Sequence, residues 1–234
     1  MWDLFSLVEI VLKGQLIVKI ALFGATGTIG QQISHEALAR GFDVKALVRN
    51  TDSFPVKHEH LTLVAANIFD PFSIAQAIQD SDVVVNATSA RNNEKDTRSF
   101  FVESTKAIID GIKQAGGNKR LLVVGGAGSL TVESGQQLVD TGVIPDAWIA
   151  IPRAQAEQLQ ILRDSSINWT YFSPSATIQP GRRTGKYRLG TDQLLKNDQG
   201  ESYISAEDYA VALVDEIEHP QFERRRFTAV SLEK

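Results

Sequence analysis

Residues 24–30, Gly24-Ala25-Thr26-Gly27-Thr28-Ile29-Gly30, carry the sharpest chemical signal in this chain. They follow a short apolar run, residues 18–23, and precede a helical pattern, the setting in which a glycine-rich loop can hold a phosphate. Each glycine has its own task. Gly24 permits the tight turn from strand to helix, Gly27 leaves the backbone bare for a pyrophosphate, and Gly30 lets the helix lie close to the strand. Unpaired N–H groups and the dipole at the helix N-terminus then favour the anion. Thr26 and Thr28 add hydroxyl donors, Ala25 and Ile29 complete the loop, and no carboxylate stands between Gly24 and Gly30.

The spacing is GxxGxxG rather than GxGxxG, and it resembles the short-chain dehydrogenase/reductase superfamily, particularly its atypical members. In dinucleotide folds the residue ending the second strand meets the adenosine ribose, and an acidic residue there selects NAD. Here the strand ends Leu47-Val48-Arg49, with no acid at either of its last two positions. Arg49 offers a planar, permanently charged fork to a 2′-phosphate. Thr51 adds a hydroxyl, while Asp52 weakens the field slightly. The expected cofactor is therefore NADP(H) in preference to NAD(H). Asn67 and Ile68, past the third strand, are expected to flank adenine. Ala87, Thr88 and Ser89, past the fourth, are expected to border ribose and pyrophosphate, because open α/β sheets bind ligands at the carboxyl ends of their strands.

The reaction end is notable for what is missing. Classical and extended relatives place Tyr-x-x-x-Lys on the helix after the fifth strand, where the Tyr is the general acid. By register Ile149 holds the Tyr place and Arg153 the Lys place. Isoleucine cannot transfer a proton, which argues against Tyr-assisted carbonyl chemistry and against sugar-nucleotide epimerisation. The remaining candidates are Ser129, Arg153 and Ser175 as catalytic residues, with Gly126, Ala127 and Pro174 against the nicotinamide; alternatively, Ser173 and Ser175 just terminate a strand. Arg182, Arg183, Lys186 and Arg188 lie on a long connection that could close over a phosphorylated acceptor such as FMN.

The elements that must position these residues alternate regularly. Strands are expected at residues 18–23, 43–48, 61–65, 83–87, 121–124, 168–172 and 226–230. Helices are expected near 29–40, 70–79, 97–115, 153–163 and 205–217. Asp70-Pro71 reads as a cap followed by the first helical residue, Gly41 and Gly116-Gly117 as helix ends, and Ser205 with Asp208 as a capping box in which Asp stands for Glu. Residues 174–200 read as irregular. Short apolar strands between helices imply a parallel sheet covered on both faces, hence a doubly wound, Rossmann-like single domain over residues 18–234.

Composition bounds the partners. The 234 residues are 43% hydrophobic and 22% charged, with net charge −4 and no strongly basic segment, so a nucleic-acid partner has no electrostatic support. The absence of cysteine excludes disulfides and thiolate chemistry and fits a reducing, cytoplasmic setting. The four histidines show no metal-ligand spacing, so no metal is expected. Residues 1–17 are too short an apolar run to span a bilayer and lack a secretory pattern. Trp2, Phe5, Val8 and Leu12 can share a helical face. Alternatively, Lys13-Gly14 can be encoded by a purine-rich ribosome-binding sequence if the source is bacterial, in which case Val18 is the expected natural start and the extension is translated leader.

The span 18–230 resembles the atypical reductases of the NADH-flavin reductase and flavin/biliverdin reductase kind, and more distantly the NmrA-like proteins. Carrying the resemblance are GATGTIG (24–30), LVRN (47–50), VVGGAGSL (123–130), Pro180-Gly181-Arg182, TGKYRLG (184–190) and Ile204-Ser-Ala-Glu-Asp-Tyr-Ala210. It implies one domain that binds NAD(P)H and passes hydride to a small flat acceptor, a flavin or quinone, in a site that needs no protein acid. The His that biliverdin-type reductases carry past the sixth strand has no counterpart in residues 173–176. A second function class stays open, a non-catalytic NADP(H) sensor of NmrA-like type acting through a protein partner.

Overall fold

The first strand, β1 (Lys19–Phe23), is almost wholly apolar and buried along all but its first residue, as a strand covered on both sheet faces must be. A computed structural model describes residues 17–51, 57–90 and 96–233; the expectations for the extension before Ile17 fall outside these residues. From β1 the chain runs through α1 (Thr28–Ala39), β2 (Asp43–Val48), β3 (Leu61–Ala65), α2 (Pro71–Ile78), β4 (Val83–Asn86), α3 (Thr97–Gln114) and β5 (Arg120–Val124). Then come α4 (Ala150–Asp164), β6 (Trp169–Ser173), β7 (Thr177–Gln179), β8 (Tyr187–Gly190), β9 (Tyr203–Ser205), α5 (Ala206–Glu218) and β10 (Arg225–Ser231).

The main sheet has the order β3-β2-β1-β4-β5-β6-β10-β8. Every pairing is parallel except that of β8 with β10. The chain steps outward from β1 to β3, then returns to lay β4 on the other side of β1. That reversal opens a crevice at the carboxyl ends of β1 and β4. Helices α1 and α5 pack together, and α2, α3 and α4 pack in succession. One core layer stacks Phe172 between Tyr209 and Phe227, with ring centroids 3.9 and 4.0 Å apart. This is the expected Rossmann-like single α/β domain.

Local chemistry sets the element ends. Asp70 accepts from the Phe72 N–H at 3.0 Å with Pro71 opening α2, and Asp96 accepts from Ser99 N–H at 2.9 Å at the start of α3. Gly41 (φ 78°) follows α1 in the left-handed region that glycine adopts freely. Ser205 caps α5 by accepting from Asp208 N–H at 3.0 Å. The expected capping box is only half made. The Asp208 carboxylate does not reach back; it accepts from Thr184 N–H and hydroxyl at 2.7 Å and from Gly185 N–H at 2.8 Å.

That contact explains a second difference. Residues 174–200 contain two strands, and β9 follows, where an irregular connection was expected. Strand β8 takes its ladder from β10, and β7 pairs with β9. Short strands held by distant partners leave little periodic signal in their own residues. Helix α4 also begins at Ala150 rather than near Arg153, and it tolerates Pro152 because the first turn needs no N–H partner there.

Candidate functional site

A cleft of about 1620 Å³ opens over the carboxyl ends of the central strands. Its first wall is the loop between β1 and α1. Gly24 has φ 80°, and a Cβ there would lie 2.5 Å from the Ala87 carbonyl oxygen, so the loop packs against the end of β4. A Cβ on Gly30 would lie 2.1 Å from Gly24 O, which makes Gly30 the packing contact of helix on turn rather than a lining residue. Around Gly27 a Cβ would meet only Gly24 O, at 3.4 Å. Gly27 is also the N-cap of α1 and supplies no side-chain cap. The first amides of the helix therefore face the cleft mouth uncapped, an anion seat made of backbone.

Gly24, Ala25, Thr26, Gly27, Thr28 and Ile29 all line the cleft. Arg49 lines it at the end of β2, exposed and without an ion pair among the described residues. Asn67, Ile68, Ala87 and Thr88 line it past β3 and β4. The Asn67 side chain accepts from Phe69 N–H at 3.1 Å, and Thr88 donates to buried Asn86 at 2.7 Å, so a local hydrogen bond braces each turn. Thr51 is exposed and is not among the lining residues; Asp52 lies outside the described residues.

The far end is the glycine loop after β5, where residues 125–128 line the cleft together with Pro174 and Ser175. Each glycine there is a close approach. A Cβ on Gly125 would lie 2.1 Å from the Tyr171 ring, one on Gly126 would lie 2.1 Å from Gln155 Oε1, and one on Gly128 would lie 2.7 Å from Pro152. Facing this loop are Val143, Ile144, Pro145 and Trp148, an apolar strip whose Trp148 is 73% exposed. Phe69 and Phe100 add an edge-to-face pair with centroids 5.7 Å apart.

The expected catalytic residues are not gathered here. Ser129 is buried and does not line the cleft; the Arg226 guanidinium donates to its carbonyl and its hydroxyl, both at 2.9 Å. Arg153 is exposed on the outer side of α4, 4.0 Å from Asp140. Ser175 does line the cleft, but its hydroxyl donates to Ala229 O at 2.8 Å. The basic connection is likewise turned away. Arg183 donates twice to Glu36 at 2.7 and 2.8 Å, Lys186 pairs with Glu233 at 2.7 Å, and Arg188 donates to the Lys196 carbonyl. The reason is the Asp208 anchor, which folds this connection toward α1 and α5.

Sequence reasoning missed Tyr171 and Gln155. The buried Tyr171 hydroxyl donates to the Gln155 carbonyl at 2.9 Å and accepts from Gly126 N–H at 3.2 Å. Burial raises its phenol far above the ordinary value. With its proton committed and its ring beneath Gly125, it does not replace the missing acid. All five residues of β6 are buried, so burial did not single out Tyr171, and nothing local announced its partners.

The profile of the NAD(P)H-binding family matches residues 24–220, most of the chain, from the loop after β1 through α5. The chain belongs to this family. The NAD(P)H-binding chain is similar to the uncharacterized protein YwnB of Bacillus subtilis, 40% identical over 218 residues that cover 92% of this chain and 99% of YwnB. Among solved structures, a Bacteroides thetaiotaomicron protein named a "putative epimerase" is 38% identical with TM-score 0.84, covering 94% of this chain and 99% of its own. A Streptococcus pneumoniae "putative NADH-flavin reductase" is 31% identical with TM-score 0.80, covering 92% and 99%. The fold is of the oxidoreductase type and fits the atypical short-chain dehydrogenase/reductases. Among the described residues no helix is long and apolar enough to cross a membrane.

Proposed function

We propose that this chain is an NADPH-dependent reductase of a flat, flavin- or quinone-like acceptor. The observation that carries the reading is one continuous cleft joining the uncapped start of α1 to the glycine loop after β5, without an ionisable side chain at the latter end among the described residues. The residues present fit a dinucleotide. The Gly27 backbone and the first amides of α1 would hold the diphosphate, Arg49 the 2′-phosphate, and Asn67 with Ile68 the adenine. The cleft exceeds the roughly 300–1,000 Å³ of common ligand pockets, leaving room for a second ring.

When bound, the nicotinamide supplies a hydride, so the acceptor gains two electrons with that hydrogen and takes one further proton from water. The chain needs no acid for such a transfer, and none lines the reaction end. Its own residues bind and exclude water: residues 125–128 present bare backbone to a ring face, and Val143, Ile144 and Trp148 cover the other side. Stacking in a dry cleft is then the main service the protein performs. The likeness to the pneumococcal protein supports the same reading.

Anaerobic consumption of NADPH with riboflavin, FMN and short-chain quinones tests this. Sustained turnover with at least one acceptor is expected. Tight NADPH binding with no turnover across the panel would overturn it and leave a nucleotide-binding sensor.

A further inference from the structure

We infer that the acceptor end takes a neutral, unphosphorylated ring bearing carbonyl groups, and that the Gln155 side-chain amide is its polar anchor and a specificity-determining contact. This rests on the reductase reading above and narrows its substrate class.

The charge distribution is the first argument. Arg49 is the sole charged residue lining the cleft among the described residues. It stands at the end of β2, three strand positions from β5 in the sheet order, or about 14 Å. A phosphate carried by the acceptor would therefore enter an apolar end with no cation beside it. Arg183, Lys186 and Arg188 are each held elsewhere, by Glu36, Glu233 and the Lys196 carbonyl, and Arg182 is exposed and does not line the cleft. Burying an unpaired dianion is costly, so FMN and FAD are disfavoured against riboflavin or a quinone.

The second argument is the amide. Gln155 lines the cleft, and its side chain makes no hydrogen bond among the described residues. It lies against Gly126, where only glycine leaves space for it. Its main chain is fixed: the Tyr171 hydroxyl ties the Gln155 carbonyl to the Gly126 N–H, clamping α4 onto the glycine loop. A side-chain amide carried on a fixed main chain offers two donors and an acceptor. That set matches ring carbonyls and a ring N–H, the polar edge shared by isoalloxazine and, for the carbonyls, by quinones. Trp148 and Val143, 73% and 68% exposed, give the ring an apolar wall.

The test uses the full chain saturated with NADP+. Binding of riboflavin, menadione and FMN is measured by calorimetry or ligand-fluorescence quenching, and NADPH consumption is measured in parallel. Riboflavin and menadione are expected to bind at least about tenfold tighter than FMN. Gln155→Leu is expected to weaken both about tenfold, the size of one well-made hydrogen bond, with nucleotide affinity and thermal midpoint unchanged. Gln155→Glu, which keeps the shape but loses the donors, should weaken them equally. FMN binding as tight as riboflavin, no binding of either neutral ring, or wild-type affinity in Gln155→Leu would overturn the inference. Neutral-ring binding without NADPH consumption would instead sustain the inferred site and overturn the reductase reading. Turnover that favours FMN and falls in Arg153→Ala would do the reverse.

Discussion

The two ends of the cleft are built by different means. At the proposed nucleotide end the diphosphate seat is one contiguous loop, residues 24–30, whose working groups are main-chain amides and whose shape is enforced by contacts within the loop and with Ala87 past β4, the sheet neighbour of β1. The acceptor end is assembled from four separate pieces: the loop after β5, the strip around Val143 and Trp148, the start of α4, and the end of β6. One of its two closest fits, Gly126 against Gln155, joins residues brought together by a buried phenol from a third element. Gly24 and Gly30 tolerate no added atom, whereas a side chain such as Gln155 can be altered one contact at a time.

The largest test of that contrast is Gly24→Ala. The residue sits at φ 80°, and its Cβ would press on Ala87 O. NADPH affinity should fall by more than about a hundredfold, since backbone strain and overpacking each cost roughly 1–3 kcal/mol. Calorimetric titration with NADPH checks it, and unchanged affinity would show that the loop is not the diphosphate seat. Next in size is Arg49→Asp. NADPH binding should weaken about 10- to 100-fold while NADH binding holds or improves, the value of a charged hydrogen-bonded contact. Equal affinities for the two nucleotides before and after the change would remove Arg49 from the site.

Tyr171→Phe sharpens the comparison from the other side. It leaves the Gly126 N–H unpaired in a buried place and strips the Gln155 carbonyl of a donor beyond its helix bond, costing about 1–3 kcal/mol in urea unfolding. Acceptor turnover should fall while NADPH affinity stays near that of the unaltered protein, because the nucleotide end does not depend on this clamp. The smallest effect is expected at Glu36→Gln. The Arg183 guanidinium, helped by Arg40, holds the Glu36 carboxyl below its ordinary value of 4.5 despite burial. A lowered folded value means the contribution is fully present above about pH 4.5 and is lost as pH falls through the folded value. The variant should thus be less stable by roughly 1 kcal/mol at neutral pH, with the gap closing in acid, since Arg183 is largely exposed.

The strands of the parallel sheet and the caps at Asp70 and Ser205 were legible in the residues themselves, because burial on both faces and helix capping act over a few positions. The phosphate loop was legible for the same reason. Ser129 and Arg153 misled because their neighbourhood was read from their place in the chain. Arg226, far along the sequence on β10, takes the Ser129 oxygens, and the turn of α4 carries Arg153 outward. The basic connection misled similarly: four cations near one another suggest an anion site, but Asp208 holds Thr184 and Glu36 holds Arg183, which ties that segment to α5 and α1.

Taken alone, the order of residues determined which segments become strands and helices, where an anion would meet free amides, and that no tyrosine acid stands on the helix after β5. These are matters of local sterics, periodicity and side-chain chemistry. Only the tertiary structure decided which side chains share the acceptor end. Packing of α4 on β6 brings Tyr171, Gln155 and Gly126 together, and the Asp208 anchor takes the cations away. Such choices depend on contacts between residues distant in the chain, whose energies no short window of sequence contains.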